Sequence, residues 1–268
     1  MSPKFIKVIR DLKADKKRTA LVFLALVLGL WSFSTVFLTN FILSRDLNQN
    51  FLMTEPPHAI LRSSKFPALS SEALALMPNV SSFEFRDFSR HRIEVRPDKW
   101  VPLGLWSVSD FKQQSIAKLT TVQGMTTPPL GSIAVERNGL LISDFKLGMA
   151  AKVRVGKKQS NVEVSSIVFD PAQPPATQER FIYAYTTPQT FSALTGQATN
   201  NRLLIRFTDV SSTQQVSQRT EHLLAWFEEN KVPIASFRVP EFQEHPHQWQ
   251  LDTLLFMVGS IGFLSFLL

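Results

Sequence analysis

The densest cluster of metal-ligating side-chain types in the sequence is Glu244-His245-Pro246-His247. Two imidazoles and a carboxylate this close can hold zinc or copper, but a third protein ligand at helical or hairpin spacing is missing, and His58, His91 and His222 are isolated. The expected role is therefore a polar elbow, with Pro246 stiffening the approach to an apolar helix and Trp249 at a membrane interface. Glu228 and Glu229 fall at a helix end, where a solvated face is expected rather than acid–base catalysis. Trp100 and Trp106 flank the alternating stretch VPLGLW, and either line a groove for an apolar ligand or pack in a core. Gly-x-Ser-x-Gly does not occur, nor does a Gly-rich phosphate loop with Gly-Lys-Ser/Thr, so any ATP-derived energy has to come from a partner. Cysteine is absent, which removes disulfides and thiol nucleophiles. No catalytic, cofactor-binding or metal-binding residue is assigned, and the chain is not expected to be an enzyme.

The elements that carry these residues are set by composition. Of 268 residues, 44% are hydrophobic and 19% charged, with 22 Phe against 2 Tyr, which raises lipid as one of the solvents. The formal charge of +7 is concentrated at the front, where Lys4, Lys7, Arg10, Lys13, Lys16, Lys17 and Arg18 face only Asp11 and Asp15. A diffuse surface for polyanions, nucleic acid included, is not expected.

Residues 20–43, ALVFLALVLGLWSFSTVFLTNFIL, hold no charge and are long enough to cross a bilayer core, which takes roughly 20 residues. No small-x-small cleavage site ends the stretch, so a retained helix is expected rather than a signal peptide. Lys and Arg before Ala20 outnumber those just after Leu43, where Arg45 and Asp46 read as interface residues. This puts the N-terminus in the cytoplasm and residues 44–250 outside. Within residues 1–19, Phe5, Val8, Ile9 and Leu12 share one side of a helix flanked by lysines, an amphipathic segment for the inner leaflet. Residues 251–268 begin a second apolar segment; its run TLLFMVGSIGFLSFLL would reach only about 24 Å, short of the roughly 30 Å of hydrocarbon. A truncated second span, and hence a fragment of a longer membrane protein, is the expectation.

Between the spans the periodicities are mixed, and the expected class is α+β. His58–Arg62 suits a strand, Ser70–Met77 a helix with a Ser cap, and Val80–Val95 alternates as a strand. The same order returns with Arg202–Phe207, a helix over Thr213–Asn230 and a strand over Ile234–Val239. Two β-α-β units thus bracket a β-rich inserted module, expected at about residues 112–185. In that module Ile133–Glu136 reads as a strand, Leu140–Lys146 as a short helix stopped by Gly148, and Lys152–Val155 with Val162–Val168 as a hairpin across Gly156-Lys157-Lys158. The proline-rich loop Asp170–Thr177 is expected to be exposed at an edge.

Four segments in order carry a family resemblance: IRDLKADKKRTALVFLALVLGL, ILSRDLNQNFLMTEPPHAILR, SIAVERNGLLISDFKLGMAAKVRV and EHPHQWQLDTLLFMVG. In their succession the chain resembles the extracytoplasmic half-repeat of FtsX-like ABC transporter permeases, its soluble part being similar to a MacB-type periplasmic core domain. The resemblance covers essentially all 268 residues. It implies an inner-membrane subunit of an exporter or mechanotransmission complex. Such a subunit works as a homodimer or with a second permease, and its energy comes from a separate cytoplasmic ABC ATPase. A lipid, lipoprotein, peptide or drug would be moved, with membrane lipid and a periplasmic protein as further partners. It also implies an outer β-α-β subdomain built from both chain ends with a second subdomain inserted. The chain departs from a full permease in lacking further spans and the cytoplasmic loop that meets the ATPase. Two other readings stay open: a two-span sensor with an outer ligand-binding domain, and a division-type regulator of cell-wall hydrolases.

Overall fold

The computed structural model describes residues 10, 12, 14–197 and 199–267, so most of the expected amphipathic segment lies outside the described residues. The chain divides into two units, residues 1–47 with 247–268, and residues 48–246.

In the first unit, helix α1 (Lys16–Met53, its last residues belonging to the second unit) carries an apolar stretch. Among the described residues this is the one helix long and apolar enough to cross a membrane, over Lys16–Thr39, with none of that stretch buried. Leu21, Phe23, Trp31 and Phe37 are all exposed, and a helix apolar on every side has no stable place in water. The last helix of the chain, α6, runs Gln248–Leu267.

The second unit holds two sheets. The first combines β1 (Ala59–Arg62), β2 (Val80–Arg86), β10 (Arg202–Phe207) and β11 (Ser236–Arg238) in the order β11-β1-β10-β2, every pair antiparallel. Helix α2 (Leu69–Leu76) connects β1 to β2, and helix α5 (Thr213–Glu229) connects β10 to β11, giving the interleaved β-α-β pairs of a ferredoxin-like sheet. Alternation places Ala59, Leu61, Leu203 and Ile205 on one face, where Leu74 of α2 and Val216, Leu223 and Phe227 of α5 cover them in one core. Helix α5 opens on Ser212, whose hydroxyl accepts the Gln215 amide, whereas Ser70 lies inside the first turn of α2 rather than capping it.

The second sheet takes the middle of the chain: β3 (Phe88–Arg96), β4 (Lys99–Ser107), β5 (Thr120–Gly124), β6 (Ser132–Glu136), β7 (Ala150–Val155), β8 (Lys158–Phe169) and β9 (Ile182–Thr186). Its order is β5-β8-β6-β9-β4-β3-β7. The first half of the long β8 pairs with β7 and its second half with β6 and β5, so the pairings close into a ring with β5 outside. Ile93, Leu103, Ile133, Val153, Val164 and Ile182 fill the interior without solvent exposure. The short helix α3 is Ala176–Glu179, and α4 (Pro188–Thr195) contributes Phe191 and Leu194 to the same core.

Three local expectations change. The run Val80–Val95 is two strands in different sheets, broken at Asp87, because β2 pairs with β10 while β3 pairs with β4. The second sheet therefore begins at Phe88, ahead of the residue 112 expected for the insertion. The segment read as a helix over Leu140–Lys146 is a 3-10 turn at Arg137–Leu141, started when the Glu136 carboxylate accepts the Asn138 amide. The proline-rich loop is not an exposed edge: Asp170, Pro171 and Ala176 are buried. Asp170 accepts the Ala172 amide at 3.0 Å, the Gln173 side chain at 3.0 Å and the Tyr185 hydroxyl, which folds the loop inward where its prolines owe no sheet hydrogen bonds.

Candidate functional site

The sequence candidates scatter. His245 is buried, its Nε2 lies 2.7 Å from the Pro171 carbonyl oxygen, and its ring meets Phe51 edge-on, so it ties the chain to the proline-rich loop. Among the described residues no three His, Asp or Glu side chains converge as a metal-ligand set. Glu228, Glu229 and His222 are exposed on or at the end of α5, and Arg45 and Asp46 are exposed on α1. Trp100 lies under the Arg154 guanidinium, 4.0 Å from ring centroid to Cζ, while Trp106 packs on Phe88 with centroids 4.5 Å apart. His91 is held by Ser89 at 2.7 Å.

What the structure does assemble is basic. On the helix-free face of the first sheet, Arg62 of β1 stands directly opposite Arg202 of β10, which stands opposite Arg86 of β2. Like charges placed side by side across strands repel, so a row of three guanidinium groups needs something to answer it. Arg86 is answered: it pairs with Glu84 at 2.9 Å and donates to the carbonyls of Ile116 and Ala117. Arg62 and Arg202 instead line a cleft of about 760 Å³, joined there by Arg90 of β3. Among the described residues none of these three makes an ion pair. Burial, with Arg62 and Arg90 nearby, pulls the Arg202 pKa down to about 10, against the pull of Asp87.

The cleft lies where the chain crosses twice between the sheets, once from β2 to β3 and once from α4 to β10. The crossings are laced together. One Asp87 carboxylate oxygen accepts the Thr199 amide, the Thr199 hydroxyl and the Asn201 amide at 3.2, 2.9 and 3.1 Å. Asn201 in turn accepts the Phe88 amide at 3.1 Å and donates to the Phe88 carbonyl at 3.2 Å. Phe88 forms one wall, with the Arg202 guanidinium 5.4 Å from its ring centroid.

Behind Phe88, Gly104 of β4 makes room for aromatic rings. A Cβ there would stand 2.8 Å from Phe181 Cε1 and 3.1 Å from both Phe88 Cε2 and Tyr183 Cδ1. Gly104→Val is therefore expected to displace Phe88 and to cost about 2 kcal/mol, as overpacking does. Urea-dependent pulse proteolysis of the full chain in micelles checks this, and unchanged stability would mean that the rings yield freely.

Two titratable groups apart from the cleft are shifted, Glu136 buried and His58 half-buried. Burial, reinforced by Asp170, raises Glu136 to about 7 even though the Asn138 amide bonds its carboxylate. Burial, with Arg206 beside it, lowers His58 to about 4, and its Nδ1 accepts the Phe207 amide at 3.0 Å. Arg206 itself pairs with Glu55 at 2.8 Å and donates to the Pro56 carbonyl at 2.7 Å.

No family model matches the sequence, and no curated protein matches it. Among solved structures, the chain is similar to the extracellular domain of the ABC-type transporter YknZ from Gram-positive bacteria. That likeness has 10% identity and a TM-score of 0.46, over 69% of this chain and 99% of that one. It is also similar to the periplasmic region of MacB from Actinobacillus actinomycetemcomitans, at 13% identity and a TM-score of 0.43, over 75% of this chain and 91% of that one.

Sequence reasoning missed the arginine cleft, because summing charge along the chain hides a concentration that only strand pairing creates. The usable signal was alternation: in RLLIRF the apolar Leu203 and Ile205 take one face and Arg202 and Arg206 the other, and HAILR places Arg62 in the same way.

Proposed function

We propose that the chain is a membrane-anchored permease subunit of the FtsX-like type, working as a mechanical transmission element. The observation that carries this reading is α1, a helix apolar and unburied over Lys16–Thr39 whose last turn places Phe51 in the buried interior of the second unit. A single helix thus supplies both a membrane anchor and a structural residue of the folded body. The N-terminus lies in the cytoplasm with the folded unit outside, in keeping with the basic lead before α1. A separate cytoplasmic ABC ATPase provides the energy, and the subunit pairs with a second copy or a second permease. Coupling asks no catalytic side chain of this chain. The ATPase has only to bind one arrangement of the helices more tightly than another, and the outer body moves with them. The load is a lipid, lipoprotein, peptide or drug.

The absence of cysteine makes a single introduced thiol unique, and Lys157 is exposed at the tip of the β7–β8 turn. Lys157→Cys is expected to react with a membrane-impermeant maleimide in intact cells. When it is spin-labelled in membranes that also hold the ATPase, the distance between labels on paired subunits is expected to change on adding ATP and vanadate. Protection in intact cells overturns the orientation, and a distance indifferent to nucleotide overturns the coupling.

A further inference from the structure

We infer that the cleft between Arg62, Arg90 and Arg202 is a binding site for a phosphate group. The inference goes beyond the permease reading and does not depend on it. Three arginines, Arg62, Arg90 and Arg202, line one space of about 760 Å³, a size ordinary for small-molecule sites and ample for a phosphate with an organic body attached. Arg62 and Arg202 are opposed in strand register, an arrangement that costs stability until an anion sits between them. Asp87 offsets part of this repulsion at Arg202, but among the described residues it forms no ion pair with any of the three arginines, so one carboxylate is set against three cations.

One of the cations is also held in place. Arg202 donates to the Asn201 carbonyl and side-chain oxygen, both at 2.9 Å, and its guanidinium lies over the Phe88 ring. A guanidinium fixed in this way loses little freedom on binding, and its planar fork matches phosphate oxygens. A phosphate with several terminal oxygens can meet three guanidinium groups, the exposed Arg62 and Arg90 closing on it beside the fixed Arg202, whereas a carboxylate has only two oxygens to offer. Phe88 gives the organic part an apolar wall. The phosphate belongs either to a lipid headgroup or to a water-soluble compound.

The test uses the full chain in phosphatidylcholine nanodiscs, titrated calorimetrically with inorganic pyrophosphate. Saturable binding at one site per chain is expected, weakening with added salt. Arg62→Gln and Arg90→Gln change exposed side chains and are each expected to raise Kd at least tenfold, while Lys157→Gln, on an exposed turn outside the cleft, leaves it within twofold. Vesicles of phosphatidic acid that displace pyrophosphate where phosphatidylcholine vesicles do not assign the site to a lipid headgroup; failure of both to compete assigns it to a soluble phosphate. Absence of saturable binding overturns the inference. An equal loss in all three variants also overturns it, because that pattern is diffuse charge attraction.

Discussion

Asp87→Ala is expected to lower the unfolding free energy of the second unit by about 3 kcal/mol, because three donors lose a charged acceptor in a place water reaches poorly. Asp87 is buried, and its oxygen gathers Thr199 and Asn201, residues more than a hundred positions away. Without it the β2–β3 crossing and the strand entering β10 keep the bonds between Asn201 and Phe88, the Arg202–Phe88 contact and the pairing of Arg202 with Arg86. Asp87→Asn keeps one oxygen of the right shape and is expected to cost about 1 kcal/mol, since a neutral acceptor is roughly half as strong. Pulse proteolysis of the full chain in micelles measures both. A loss in the alanine variant no larger than that of an ordinary surface substitution would show that the lacing does not hold the sheets together. If the proposed transmission operates, the same variant should also blunt movement of the outer body, because a slack junction absorbs displacement.

A second large effect is expected from pH, through two groups with opposite signs. Glu136 is raised in the folded protein to about 7 from 4.5, so between those values the folded state holds the extra proton and stability falls as pH rises. His58 is lowered to about 4 from 6.5, so the unfolded state holds the extra proton there and stability falls as pH drops. Going from pH 8 to pH 5, Glu136 contributes a gain of about 2 kcal/mol and His58 an opposing loss, smaller because solvent screens the half-buried ring. The variants separate them. Glu136→Gln keeps an acceptor for the Asn138 amide and should lose about 1 kcal/mol on acidification to pH 5, the His58 effect after solvent screening. His58→Asn keeps an acceptor for the Phe207 amide and should gain about 2 kcal/mol, the Glu136 effect. Urea midpoints at the two pH values decide the matter, and parallel curves for both variants would mean that neither group titrates as its surroundings dictate.

Local pattern made some of this architecture readable. Alternation in HAILR and RLLIRF marks β1 and β10, and the spacing of Val216, Leu223 and Phe227 marks the buried side of α5. Such signals are short-range, and each failure has a long-range cause. Val80–Val95 reads as one alternating run because Phe83 and Phe85 of β2 and Ile93 and Val95 of β3 each keep one face toward a core, yet the cores differ, and the pairing partners of each strand reveal the break at Asp87. The proline-rich loop looks solvated by composition, but Tyr185 and His245, both distant in sequence, draw it inward. The arginine row depends on residue 62 meeting residue 202, a register fixed by the whole sheet. A net charge concentrated before Ala20 gives no hint of it.

The two crossings carry one more implication. The Phe88 amide and the Asn201 side chain are 3.1 Å apart, so the stretch that builds the closed ring leaves the first sheet and returns to it at nearly the same point. A body attached through adjacent ends can be enlarged, trimmed or exchanged for another without rethreading its host, because the host strands close over the gap in either case. Evolution could therefore graft a new recognition head onto an unchanged stem, and an engineer could do the same by swapping the residues between Phe88 and Asn201.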